Sequence, residues 1–261
     1  MEKEKVCLII GAGAGIGGTV GARFAAGGYH AVLSRRSDAE GLDRLVSRIQ
    51  AAGGKATGRL LNAVEPDAIE TLIAEVEQEI GPIQTLVFNL GAQVGNRTLP
   101  ETSLKVFERC WRMSTFGLFR AAQVVCPLMA VRGGGTILVT ASTAAMRGNA
   151  GQHAHASAMA ARRMLCQSLN AEFASQGIHI VHIIVDGTVD APDTLGKMLG
   201  PERFAELRAS KGTADGLILP KQIAETYWHL ARQHRSAWTH ELDLRAWSDQ
   251  AWWNHQTSTR I

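Results

Sequence analysis

Residues 6–17 read VCLIIGAGAGIG: five apolar residues run directly into glycines at 11, 13, 15 and 17, and a helical pattern comes next. An unbroken apolar run of this length marks a strand buried on both faces of a parallel sheet. Glycines placed straight after it let the backbone turn tightly and come close to a pyrophosphate. The next helix N-terminus offers free N–H groups and the positive end of its dipole. The stretch therefore predicts a strand-turn-helix unit that carries a dinucleotide. Its spacing, Gly11-x3-Gly15-x-Gly17, is wider than the common Gly-x-Gly-x-x-Gly fingerprint, and the loop alone leaves open a glycine-rich turn that binds nothing.

Outward from this unit, apolar runs alternate with longer amphipathic stretches. Strands are predicted over 6–10, 31–34, 56–60, 85–89, 136–140, 178–185 and 241–244. Helices are predicted over 16–26, 39–52, 67–80, 103–131, 156–176 and 220–233. Such alternation builds βαβ units, giving a Rossmann-type doubly wound parallel sheet of about seven strands with helices on both faces. Glycines mark the seams at 27–28, 53–54, 81, 133–135 and 177. No repeat or composition break divides the 261 residues, so a single domain over 1–261 is expected. The stretch 190–219 has weak periodicity and falls after the sixth strand. It reads equally as a substrate-covering flap and as a surface excursion.

Composition narrows the partners. The chain carries 27 Lys and Arg against 24 Asp and Glu, a net charge of +3, with no basic run. That argues for neither nucleic acid nor an anionic membrane surface as a partner. Cys7, Cys110, Cys126 and Cys166 lack metal-ligand spacing, and His153, His155 and Asp186 gain no support as ligands from any neighbour, so no metal site is expected. Scattered cysteines read as reduced packing residues and a cytoplasmic location. The charged start MEKEK and the five-residue apolar run after it are too short for a signal peptide or a membrane span.

Further motifs carry a resemblance along nearly the whole chain. These are Phe88-Asn89-Leu90-Gly91 after the fourth strand, Gly135 to Ser142 over the fifth, Asp186-Gly187 after the sixth, and the tail from Tyr227-Trp228-His229 through Ser236 to Glu241. With the glycine loop, they resemble the short-chain dehydrogenase/reductase family, and the tail looks like a branch known for incomplete active sites. The resemblance implies an NAD(P)-dependent oxidoreductase. It implies a cofactor site of Gly11, Gly15, Ile16 and Gly17, then Ser34, Arg35 and Arg36, then Asn62 and Ala63, Asn89 and Gly91, and Asp186 and Gly187. In such sheets the ligand lies outside the carboxyl ends of the strands.

The end of the second strand reads Ala31-Val-Leu-Ser34-Arg35-Arg36, with no acid before Asp38. A carboxylate at this place accepts bonds from the adenosine ribose in NAD binders, whereas arginine accommodates a 2′-phosphate, so NADP(H) is favoured over NAD(H).

The family's catalytic group is an Asn, Ser, Tyr and Lys tetrad, with Tyr and Lys four apart. Here the serine position is Ser142, the tyrosine position His155, the lysine position Met159 and the asparagine position Ser114. The chain's two tyrosines, Tyr29 and Tyr227, lie elsewhere. A tyrosine titrates near ~10 and needs a neighbouring ammonium to approach neutrality, whereas an imidazole titrates near ~6.5 unaided. Losing Tyr and Lys together is therefore coherent, with His155 as acid/base, although an alternative is that the His155–Met159 face simply packs. His153 is expected to precede the helix and point elsewhere. His179 and His182 are expected to be packed inside a strand. Asp186, like Asp190 at the site rim, reads equally as a substrate or nicotinamide contact and as a turn cap.

The reading is an NADP(H)-dependent oxidoreductase acting on a small alcohol or carbonyl compound. The alternatives are a non-redox lyase, hydratase or dehalogenase on the same scaffold, or a catalytically inactive nucleotide-binding partner or sensor. Substrate contacts are sought among Gln93, Asn96, Phe116, Met146, Asn149 and Thr188. A homodimer or homotetramer is expected from the long fifth and sixth helices and from Trp238, Trp247, Trp252 and Trp253.

Overall fold

The computed structural model describes residues 4–91, 95–212 and 215–254. Strands β1 (Val6–Ile10), β2 (His30–Arg35), β3 (Lys55–Leu60), β4 (Ile83–Phe88), β5 (Gly135–Ser142), β6 (Ile178–Val185) and β7 (Glu241–Leu244) form one sheet in the order β3-β2-β1-β4-β5-β6-β7. Every neighbouring pair is parallel. The chain winds outward from β1 to β3, then returns to place β4 on the other side of β1. The direction of winding thus reverses between β1 and β4, where open sheets of this kind form their crevice.

The helices are α1 (Ile16–Ala26), α2 (Ala39–Ala51), α3 (Ala68–Glu79), α4 (Leu104–Trp111), α5 (Gly117–Val131), α6 (His153–Phe173), α7 (Lys197–Leu199), α8 (Pro201–Lys211) and α9 (Pro220–Ala231). One core cluster joins Val6, Leu8 and Ile10 to side chains of α3, α5 and α6; the other joins Cys7 and Ile9 to α1, α2 and α9. Alternate residues of β1 thus face opposite layers, and all five are fully buried. This is why the strand's sequence is an unbroken apolar run rather than an alternating one.

Three segments depart from the expected elements. The stretch 103–131 is helical from 104 onward, but a π-helical turn at Arg112–Phe116 joins α4 to α5. Ser103 caps its start by accepting from Val106 N. The 28 helical residues Leu104–Val131 contain an apolar 18-residue window that is half buried; Leu118, Ala121, Ala122, Val125, Cys126 and Met129 supply the core-facing side. Next, α6 starts at His153 rather than at 156, so His153 is the first helical residue and is exposed rather than preceding the helix.

The third departure is the excursion over 190–219, which is largely helical, with a π-helical turn at Pro192–Gly196 ahead of α7 and α8. Its two ends meet. Val189 bridges Ile218, Ile218 N donates to Thr188 O at 2.8 Å and Asp190 N donates to Ile218 O at 2.9 Å. Arg208 fastens it again by two bonds to the Asp190 carboxylate, at 2.8 and 2.9 Å.

Candidate active site

The turn after β1 is held mainly by backbone. Gly11 N and Ala12 N both donate to Ser34 O, at 3.0 and 2.7 Å, Gly18 N donates to Gly13 O at 2.8 Å, and Asn89 Nδ2 donates to Gly11 O at 2.8 Å. Gly11 has φ +100°, and a Cβ there would stand 2.7 Å from Asn89 O. A Cβ on Gly17 would stand 2.4 Å from Gly11 O. Backbone this close leaves no room for a side chain at either position. These glycines and the start of α1 form the kind of cradle that a pyrophosphate needs, with orphan N–H groups at the helix end. The excursion after β6 leans over it: a Cβ on Gly15 would lie 3.2 Å from Ala191 Cβ, and one on Gly13 would lie 3.8 Å from Thr194 Cγ2.

Beyond this turn a cleft of about 520 Å³ opens at the carboxyl ends of β4, β5 and β6. Its walls include Ile16, Asn89, Gly91, Ser142, His155 and Gly187 from the expected site, together with Met159 and Thr188. Thr194, Leu195 and Met198 of the excursion also line it. β5 pairs with β4 up to Val139 and then continues to Ser142, which raises the serine to the cleft mouth. His155, on the first turn of α6 and 6% exposed, brings Nε2 to 3.2 Å from Ser142 Oγ. A hydroxyl and an imidazole at this distance exchange donor and acceptor roles with the imidazole tautomer, the arrangement needed to pass a proton.

Several expected site residues lie elsewhere. Ser114 sits in the π-helical turn, fully buried, with Oγ 3.4 Å from Ala158 O; Thr115 donates to the same carbonyl at 2.8 Å. The turn thus aims Ser114 at the α6 backbone and away from the cleft wall. Asp186 accepts from Arg245 Nη1 and from Trp252 N, both at 3.0 Å, which ties down the chain after β7. Ser34 is fully buried and its Oγ donates to Ile9 O, so the hydroxyl is committed to β1. Asn62 donates to Glu65, and Ala63 is buried with its carbonyl held by Arg120. Asn96 and Asn149 are exposed, Phe116 stacks on Trp111 and Met146 is half buried; none of the four lines the cleft. Gln93 lies outside the described residues. His179 and His182 are buried in β6.

A second cavity of about 520 Å³ lies past the end of β2. Arg35, Arg44, Arg48 and Lys197 meet Asp38, Asp43 and Asp193 around it, while Arg36 is exposed and does not line it. Arg35 pairs with Asp38 at 3.0 Å. A bond from Gly41 N, and then the nearby basic groups, hold the Asp38 carboxyl below its usual range. Four cations converging at this strand end suit a phosphate.

One charged cleft residue was missed from the sequence. Arg162 lines the floor, with Nη1 donating to Thr140 O and Nη2 to Leu90 O, both at 2.7 Å. The signal was available: 155, 159 and 162 fall on one face of a helix.

Comparison with known proteins agrees with this fold. Residues 5–196 match the family described as short chain dehydrogenase. The short-chain reductase protein NovJ of Streptomyces niveus is 31% identical over 236 residues, covering 89% of this chain and 88% of its own. A short-chain dehydrogenase structure from Rhodopseudomonas palustris superposes with a TM-score of 0.77 at 31% identity, covering 93% of this chain and 99% of its own. A variant of actinorhodin polyketide ketoreductase solved with NADPH gives 0.82 at 24% identity, covering 93% and 96%, and shows the fold. The chain belongs to the short-chain dehydrogenase/reductase family of NAD(P)-dependent oxidoreductases.

Proposed function

We propose that the protein is an NADP(H)-dependent reductase of a small carbonyl compound, working with an atypical catalytic pair, Ser142 and His155. The observation that carries this reading is the 3.2 Å contact between Ser142 Oγ and His155 Nε2 inside the cleft. The residues present fit a dinucleotide: Gly11 and Gly17 have no room for a Cβ, as a close-approach turn requires, and the cleft begins where that turn ends. Bound reduced nicotinamide would supply a hydride to the carbonyl carbon. The Ser142 hydroxyl donates to the carbonyl oxygen, and the proton that neutralises this oxygen comes from the Ser142–His155 pair. The imidazole then regains a proton from solvent. Met159 supplies no donor, so the nicotinamide end is held by fewer polar contacts than the rest of the cofactor.

The 2′-phosphate reading rests on Arg35, Arg44, Arg48 and Lys197 around the second cavity. We read the excursion over 190–219 as the flap of this site, a reading supported by Thr194 and Met198 lining the cleft. Assembly as a homodimer or homotetramer is supported by the exposed apolar side chains Leu104, Phe107, Trp111, Phe119, Leu128 and Val131 along α4 and α5.

The test is NADPH oxidation over a panel of aldehydes and ketones, with native protein and His155→Phe. Turnover by the native protein, and its loss in the variant with NADPH still bound, supports the reading. Turnover of lyase or dehalogenase substrates by cofactor-free protein, or tight NADPH binding with no turnover, moves it to a non-redox enzyme or a sensor.

A further inference from the structure

Among the described residues Arg162 is the one charged side chain of the cleft wall, and the proposed chemistry leaves it unused. It is 1% exposed, and its Cζ lies 5.1 Å from the Phe88 ring centroid. Two carbonyl oxygens accept from its terminal nitrogens, while Nε has no hydrogen-bond partner. Among the described residues no carboxylate answers it: its neighbour Arg163 takes Glu241 at 2.6 and 2.8 Å, and the cleft wall holds no Asp, Glu, Lys or second Arg. Burial pulls its pKa down to about 10, which leaves the guanidinium charged at neutral pH.

A buried charge without a partner weakens a fold, and an apolar side chain of similar volume in its place is often neutral or stabilising. The two carbonyl bonds give Arg162 a structural role, but a neutral amide could donate to a carbonyl as well, so they do not account for the charge. The potential it creates gives a better account, because a charge with no counter-ion acts on whatever enters the cleft, and low-dielectric walls screen it weakly.

We propose that Arg162 sets a positive potential across the cleft floor that selects the reduced, uncharged nicotinamide ring over the oxidised, cationic one, and so biases the protein towards reduction. This rests on the reading of the cleft as the nicotinamide site. The uncharged ring is nearly indifferent to the potential, whereas the cationic ring is repelled. Two unit charges about 10 Å apart at an effective dielectric of about 20 shift an equilibrium by roughly tenfold. Arg162 thus acts through its charge, without touching the reacting atoms, as a determinant of the preferred cofactor state.

The experiment is calorimetric titration with NADPH and with NADP+, separately, for the native protein, Arg162→Met, Arg162→Gln and Arg162→Lys. Thermal melts confirm that each variant is folded. The readout is the ratio of the two dissociation constants. The expected result is roughly tenfold loss of the native preference for NADPH in the Met and Gln variants, through tighter NADP+ binding, with the preference kept in the Lys variant. Glutamine retains an N–H donor for a carbonyl, so it carries the test if methionine does not fold. A purely structural Arg162 would weaken both forms alike and leave the ratio unchanged; that result, or equal native affinities, overturns the inference while leaving the cofactor site standing. Failure of both forms to bind the native protein overturns the inference and the reading beneath it together.

Discussion

The turn between β1 and α1 and the first turns of α6 border the same cleft but keep their shapes by different means. The turn is made of backbone: Gly11 N, Ala12 N, Gly13 O and Gly17 are fixed by main-chain contacts, with the Asn89 amide bracing Gly11 and the Thr19 hydroxyl bracing Gly15. The α6 face is made of side chains on a regular helix, where His155, Met159 and Arg162 point at the cleft and the backbone is indifferent to their identity. A backbone site cannot change residue by residue without losing its shape. A side-chain site can be rewritten in place, and under the proposed function His155 and Met159 are such a rewriting.

The contrast is broken most directly at Gly17. Its Cβ would meet Gly11 O at 2.4 Å, and main chain cannot yield as a side chain can. Gly17→Val is expected to abolish NADPH binding, by at least roughly a hundredfold, or to leave the protein unfolded; fluorescence titration and a thermal melt separate the two. Gly15→Ala sharpens the point, because its closest contact would be Ala191 Cβ at 3.2 Å, a side chain rather than main chain. That variant is expected to stay folded and to bind NADPH more weakly, since it narrows the gap between the turn and the excursion. Unchanged affinity in Gly17→Val would show that the turn holds no ligand.

On the α6 side the expected loss is large but confined to chemistry. His155→Phe is expected to lower turnover roughly a hundred- to ten-thousand-fold, the range of a lost acid/base group. NADPH affinity and melting temperature stay near native, because the helix face accepts another side chain. Equal losses in affinity and turnover would mean that this face is as rigid a part of the cradle as Gly17.

The two regions were also unequally legible. The glycine turn could be read because its requirements, an apolar strand, close-approach glycines and a helix, are local in sequence. β1 and α1 fall where expected for the same reason. The α6 start was misplaced because Gln152 and His153 carry no capping signal, and no side chain caps the helix. Ser114 could not be placed because a π-helical turn shifts the helical phase of the residues after it by one position, a change that periodicity does not announce. Asp186 could not be assigned because its partners, Arg245 and Trp252, lie 59 and 66 residues on. Arg162 was missed even though its spacing was local, since an arginine in a helix is ordinarily read as solvated.

Beneath α6 the sheet carries a titrating pair whose effect is smaller and reaches stability alone. His182 on β6 is buried, with Nδ1 3.0 Å from Glu241 Oε2. Burial pulls its pKa down to about 4, aided by Arg162 and Arg163 and opposed by Glu241. The unfolded chain takes up this proton near pH 6.5 while the folded chain resists it until about pH 4. Folded-state stability is therefore full above about 6.5 and falls as pH drops towards 4, by roughly 3 kcal/mol for this site. Glu241, held below its usual range first by its bond to Arg163, adds a loss of the same sign at lower pH. Denaturant melts from about pH 7 to 4 check this, and His182→Gln is expected to flatten the upper part of the curve. A flat native curve would remove His182 from the account.

The smallest expected effect tests whether the backbone region also carries a replaceable side-chain site at its outer edge. Arg35 comes directly after the buried Ser34 at the end of β2, where its guanidinium is shared with Asp38 at 3.0 Å. Asp38 is exposed and also accepts from Gly41 N at 2.9 Å, so it can keep its capping role while a phosphate takes over the arginine. Arg35→Ala is expected to weaken NADPH by roughly tenfold, the lower end for a charged hydrogen-bonded contact, and to leave NADH unchanged. Asp38→Asn should act in the opposite direction, by a few-fold, because it frees Arg35 while an amide oxygen still caps α2. Arg44, Arg48 and Lys197 remain around the same cavity, which is why one substitution weakens the discrimination without reversing it. If both cofactors weaken equally in Arg35→Ala, the arginine supports the strand end or the adenine rather than a 2′-phosphate, and the preference for NADP(H) falls.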